Sequence, residues 1–81
     1  MNKKLLQKIS TELGKAHDKG SLPLYLDGIL TVTEIEEIAR RIEIVEMLKK
    51  GTAQHEIAKK LGVGVATVTR GSKELKAGKF E

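Results

Sequence analysis

The chain has 81 residues, 15 Lys plus Arg against 11 Asp plus Glu, a net charge of +4 and no cysteine. Such a length predicts one domain over residues 1–81 that buries only about 60–65% of its unfolded surface, so association with a second copy is the expected source of further stability. The lack of cysteine excludes disulfides and thiolate zinc sites. With Tyr25 and Phe80 as the only aromatics, recognition of single-stranded nucleic acid by base stacking is disfavoured too.

The positive balance favours an anionic partner, nucleic acid before membrane. No apolar run approaches the ~20 residues of a membrane span. The segment Met1–Ser10 lacks the continuous apolar block of a signal peptide, so a cytoplasmic protein is expected.

Leu5, Leu6, Ile9 and Leu13 recur at helical spacing and predict a first helix over about residues 2–17. His17-Asp-Lys-Gly-Ser21 is turn-rich and reads as a connection. Pro23 suits the first turn of a short helix carrying Leu24, Tyr25, Leu26, Ile29 and Leu30, which Gly28 would interrupt or end.

A capping box opens the next helix, with Thr31 and Glu34 or, one frame later, Thr33 and Glu36 supplying the reciprocal side chains. This long helix, about residues 32–50, places Ile35, Ile38, Ala39, Ile42, Val45 and Leu48 on one face, and Gly51 stops it. A short helix over Gln54–Leu61 follows, with Gly62 as its stop, and a last one from about Val65 to Lys76. Gly71 inside the last helix costs roughly 1 kcal/mol relative to alanine. Its presence predicts close approach by a ligand or phosphate, or else a weak helix. The tail from Ala77 to Glu81 is expected to fray. With no repeats and no alternating segment, the fold class is all-α: a short helical bundle.

Residues 54–71 carry the most specific pattern. A helix-turn-helix needs a small residue where two helices cross, a glycine in the tight turn, and apolar residues pinning the second helix to the first. Ala58 is the small residue, Gly62 the turn glycine, and Ile57, Leu61, Val63 and Val68 the pins. The second helix would then read the major groove. Val65 and Ala66 are small enough for close approach and can touch a thymine methyl. Thr67 and Thr69 can donate to phosphates or base edges, and Gln54 and His55 lie beside the phosphate backbone. Lys59, Lys60, Lys73 and Lys76 supply sequence-independent attraction; each is also an ordinary solvated surface charge.

The run Ile44-Val-Glu-Met-Leu-Lys-Lys-Gly51, then Gln54-His-Glu-Ile57, and above all Ala66-Thr-Val-Thr-Arg-Gly-Ser72 with Leu75 and Lys76, resembles the tryptophan repressor family. The likeness covers about residues 22–78, with one fewer residue between Gly51 and Gln54. It implies an all-helical intertwined homodimer that binds a palindromic operator in double-stranded DNA. It also implies an amino-acid corepressor, L-tryptophan or a similar small ligand, held between the long helix and the reading helix.

Within that likeness, Arg41 and Arg70 match the two arginines that pack on the indole, the first also meeting the ligand carboxylate. Planar guanidinium suits both tasks. Arg41 has a bland alternative as a surface partner of Glu37, and Arg70 could serve DNA instead. Thr31 matches a pocket threonine near the carboxylate, and Gly71 a glycine that leaves room for the indole. Ile29 and Leu30 match the loop whose carbonyls face the ammonium, Ile44 a wall residue, and Thr67 a pocket neighbour on the reader. On the DNA side Val65, Ala66, Thr67 and Thr69 match readers, while Gln54, His55 and Lys76 match phosphate-region contacts.

The chain departs from the family at several points. Glu74 stands where a serine lies near the ammonium; it could pair with that ammonium, project into solvent or block the pocket. Lys73 replaces an asparagine, Gly28 breaks an apolar stretch, and the first helix is short. Family proteins normally carry a further helix beyond the position of Glu81.

No catalytic constellation is legible. His17 and His55 are isolated, and Gly62-Val-Gly64 follows a helix rather than a strand, so it is not a dinucleotide loop. The expected function is a sequence-specific transcriptional repressor, not an enzyme. The alternatives are a ligand-independent DNA binder of the same skeleton and a protein-interaction helical module.

Overall fold

The computed structural model describes residues 2–81, so Met1 of the expected domain lies outside it. The elements are α1 (Lys3–Asp18), α2 (Leu22–Ile29), α3 (Val32–Lys49), α4 (Gln54–Leu61) and α5 (Val65–Lys76). Among the described residues there is no strand, and the all-α class expected from the sequence is the class observed. The chain divides into two compact units, one running to Ile35 and the other over Glu36–Glu81.

In the first unit, Asn2 starts α1: its side-chain oxygen accepts the Leu5 N–H at 3.1 Å. This satisfies one of the donors that a helix start leaves unpaired. At the other end the backbone N–H and the hydroxyl of Ser21 both donate to the Ala16 carbonyl, at 2.9 and 3.3 Å. Ala16 is buried, and α1 packs on α2. Pro23 sits in the first turn of α2, as its fixed φ favours. Gly28 does not interrupt that helix, which runs one residue further and closes with the Leu30 N–H on the Leu26 carbonyl at 3.0 Å.

The start of α3 resolves the two possible capping frames. The Thr31 N–H donates to Glu34 Oε1 at 2.9 Å, and the Glu34 N–H donates to Thr31 Oγ1 at 3.1 Å. Thr31 and Glu34 therefore form the reciprocal box.

The second unit has a core of Ile44, Ile57, Ala58 and Val68, with Met47, Leu48, Leu61 and Val63 packed against it. Ile57 and Val68 are fully buried, which is worth about 1.5–3 kcal/mol for each such side chain. The face that α3 offers to this core differs from the expected one. Ile44, Met47 and Leu48, spaced i, i+3, i+4, face α4 and α5, while Ile38 and Ile42 remain 39% and 56% exposed. The physical reason is that α3 carries two apolar stripes, and the α4–α5 pair covers only one. Ile38, Ile42 and Val45 instead line an open groove of about 430 Å³, edged by Arg41, Glu46, Lys49 and Phe80.

The tail also differs from expectation: it turns back instead of fraying. Gly78 takes a left-handed conformation (φ 80°) that other residues rarely adopt. Its N–H reaches the Leu75 carbonyl at 3.0 Å, and the Lys79 N–H reaches that of Glu74 at 3.4 Å, closing α5. The Lys79 ammonium pairs with the Glu74 carboxylate, and Lys49 Nζ donates to the Phe80 carbonyl.

Candidate nucleic-acid interface

The two helices α4 and α5 meet through the small side chain of Ala58, which is 6% exposed within the core cluster. Gly62 turns the chain between them at φ 66°, ψ 35°, and the Val63 N–H closes the turn on the Ala58 carbonyl at 3.0 Å. A side chain at that φ would be strained, which is why the glycine is there. Val63 and Leu61 then pack on the cluster, and Val68 fixes the second helix by complete burial. Every structural slot expected of a helix-turn-helix is filled by the residue expected to fill it.

With Val68 turned inward, the start of α5 is presented outward. Val65 is 51% exposed, and Ala66, Thr67 and Thr69 are exposed as well. Neither Ala53 before α4 nor Gly64 before α5 caps its helix with a side chain. His55, Lys59, Lys60, Lys73 and Lys76 are exposed, and Gln54 is half-buried. One contact links the two helices at this surface: Thr69 Oγ1 donates to Gln54 Oε1 at 2.8 Å.

The candidate ligand residues are divided between the units. Ile29, Leu30 and Thr31 belong to the first, and Thr31 is engaged in its capping box with Glu34. Arg41, Ile44, Thr67, Arg70, Gly71 and Glu74 belong to the second. There Ile44 is a core residue, 2% exposed, rather than an open wall. Gly71 lies against it, so the mid-helix glycine coincides with a close approach between α5 and α3. Arg41 is exposed and loosely paired with Glu37 at 4.0 Å, an i, i+4 contact of little energetic weight.

The hydrogen bond from Lys79 holds the Glu74 carboxyl below the usual carboxylate range, against a smaller opposing effect of desolvation. The charges of Lys79, Arg70 and Lys73 lower it further. Glu74 is thus committed to a cation of its own chain.

Sequence reasoning missed three of these contacts: Thr69 with Gln54, Glu74 with Lys79, and Lys49 with Phe80. No periodicity signals them, since each depends on how the helices or the tail fold together. The Asn2 cap was also missed, although an asparagine three residues before Leu5 carries that signal.

Ala58 at the crossing, Gly62 in the turn and an exposed start to α5 define a helix-turn-helix protein. Residues 4–81 match the profile of the Trp repressor protein family, and the chain belongs to that family. It is 44% identical over 63 residues to a Trp operon repressor homolog of Vibrio vulnificus (strain YJ016), covering 76% of this chain and 57% of that one. It is 39% identical over 70 residues to a Trp operon repressor homolog of Aliivibrio fischeri (strain MJ11), covering 85% and 65%. A third relative of the same name, from Vibrio cholerae serotype O1, is 44% identical over 55 residues, covering 67% and 53%. The chain thus spans between half and two thirds of the length of these relatives.

Proposed function

We propose that this chain is a cytoplasmic transcriptional repressor that binds a palindromic operator in double-stranded DNA as a homodimer, residues 1–81 serving as one domain. The observation that carries this reading is the Gly62 turn, which buries Val68 and leaves Val65, Ala66, Thr67 and Thr69 facing outward. Small side chains there permit close approach to base edges, directly or through water. Gln54, His55, Lys59, Lys73 and Lys76 serve the phosphates. The exposed Ile38 and Ile42 on α3 suit burial by a second copy. A dimer of this type presents its readers to half-sites one helical turn apart, about 34–36 Å.

In the same proposal L-tryptophan, or a similar amino acid, acts as corepressor through Arg41, Arg70, Thr31, Gly71, Ile29, Leu30, Ile44, Thr67 and Glu74. The two relatives named first are Trp operon repressor homologs, which supports tryptophan as the ligand to try. Its action is a population shift: it favours the reader orientation that fits DNA, to the extent that it binds that orientation better. A second reading, DNA binding without a ligand, is favoured by two observations. Ile44 and Leu48 already occupy the space beside Gly71, and Lys79 already occupies Glu74.

The test is titration with L-tryptophan, followed by thermal shift and by affinity for a duplex that the protein selects from a randomised pool. Saturable binding with tighter DNA association supports corepression. A selected duplex with no response to tryptophan supports the ligand-independent reading. Failure to select any duplex, with or without tryptophan, overturns both and leaves a protein-interaction module.

A further inference from the structure

The hydroxyl of Thr69 on α5 donates to Oε1 of Gln54, the first residue of α4, at 2.8 Å. The residues lie 15 positions apart, and the bond joins the outer rims of the two helices. Thr69 is exposed and Gln54 half-buried, so both groups could bond water instead, and the bond adds little to stability. Its consequence is orientational. A glutamine amide offers an acceptor oxygen at one corner and two N–H donors at the other. With Oε1 held by Thr69, the planar amide is fixed and its NH2 corner is directed away from that hydroxyl.

The Thr69 hydroxyl has one proton, and Gln54 takes it. A phosphate oxygen only accepts hydrogen bonds, so it needs a donor from the protein. The free donors of this pair belong to Gln54. We propose that Gln54 is the group that meets the DNA phosphate and that Thr69 is a positioning residue acting through it, by holding the amide in its donating orientation. This rests on the DNA-binding reading above and reassigns Thr69 from direct contact to support.

The experiment is a double-mutant cycle on the full chain, using a duplex it selects from a randomised pool in the presence and absence of L-tryptophan. Gln54→Ala is expected to weaken binding about tenfold and Thr69→Val about fivefold, the scale of one hydrogen bond to a charged group. The double variant is expected to bind no more weakly than Gln54→Ala alone, because Thr69 acts only through Gln54. Thr69→Ser, which keeps the hydroxyl, should recover most of the affinity.

A second readout is one that a purely structural role would not move. Replacing single phosphates by methylphosphonates should reveal one position whose neutralisation weakens the unaltered protein but not Gln54→Ala or Thr69→Val. Additive losses in the cycle, or a Thr69→Val loss that persists without Gln54, overturn this inference alone. If no duplex is selected, the DNA-binding reading falls and takes this inference with it.

Discussion

A Cβ built on Gly71 would lie 3.2 Å from Cγ2 of Ile44, closer than side chains normally pack, and 3.5 Å from Cδ1 of Leu48. Ile44 is 2% exposed, and its Cγ2 sits directly on Cβ, so the methyl cannot swing aside without moving the core. The glycine therefore admits close packing of α5 on α3, at the cost of helix propensity.

Two effects oppose each other in Gly71→Ala. Propensity favours alanine by about 1 kcal/mol, whereas overpacking of a filled core costs about 1–3 kcal/mol. The expected outcome is a net loss of about 1 kcal/mol in denaturant unfolding, because Ile44 has nowhere to go. In an Ile44→Leu background, which removes the methyl from Cβ, the loss should shrink or change sign. An equal loss in both backgrounds would show that the contact is not the cause.

The reciprocal box between Thr31 and Glu34 makes a prediction about frame. Thr31→Ala removes the acceptor for the Glu34 N–H and should cost about 1 kcal/mol, read as a lowered thermal midpoint. Thr33→Ala, in the frame the chain does not use and at an exposed position inside α3, should cost nothing, because alanine is the better helix former. Equal costs at the two threonines would contradict the observed cap.

Glu74 gives a pH dependence whose sign can be worked out. Its carboxyl is lowered in the folded chain, chiefly by the Lys79 hydrogen bond. A lowered group contributes stability above its unfolded value and loses it as pH falls through the folded value. The contribution is thus present at neutral pH and lost in the acid range. Lys79→Ala should move the Glu74 titration, followed by carboxyl-carbon NMR, back up toward the usual carboxylate range. An unmoved titration would mean that Lys79 does not hold the carboxylate in solution.

The exposed lysines predict salt dependence rather than specificity. If Lys59, Lys73 and Lys76 neutralise phosphates, each substitution by alanine should reduce the slope of log affinity against log salt by about 1. The weakening should be similar across different duplex sequences. A lysine whose removal changes affinity but not the slope would be acting through packing.

Most of the helix-turn-helix was legible in the sequence. The placement of Ala58, Gly62 and Val68 is set by local demands: a small crossing residue, a left-handed turn, an inward apolar pin. The same holds for the limits of α4 and α5, which agree with the observed Gln54–Leu61 and Val65–Lys76. At Gly71 the sequence points to close approach by a ligand or phosphate, or to a weak helix, and the atoms nearest to it are those of Ile44 and Leu48. That the approaching group is Ile44 depends on which stripe of α3 meets α5.

The sequence by itself determined the all-α class, the helices of the described residues and the place of the helix-turn-helix, because spacing, caps and glycine stops act within a few residues. Only the tertiary structure decided that Ile44, Met47 and Leu48, rather than Ile38 and Ile42, face the core. It alone decided that Lys79 takes Glu74 and that Thr69 takes Gln54. The physical reason is that α3 carries two apolar stripes of similar character, and a charged or polar side chain on a helix surface has several partners within reach. Local periodicity cannot choose among them; the crossing of the helices and the turn at Gly78 do.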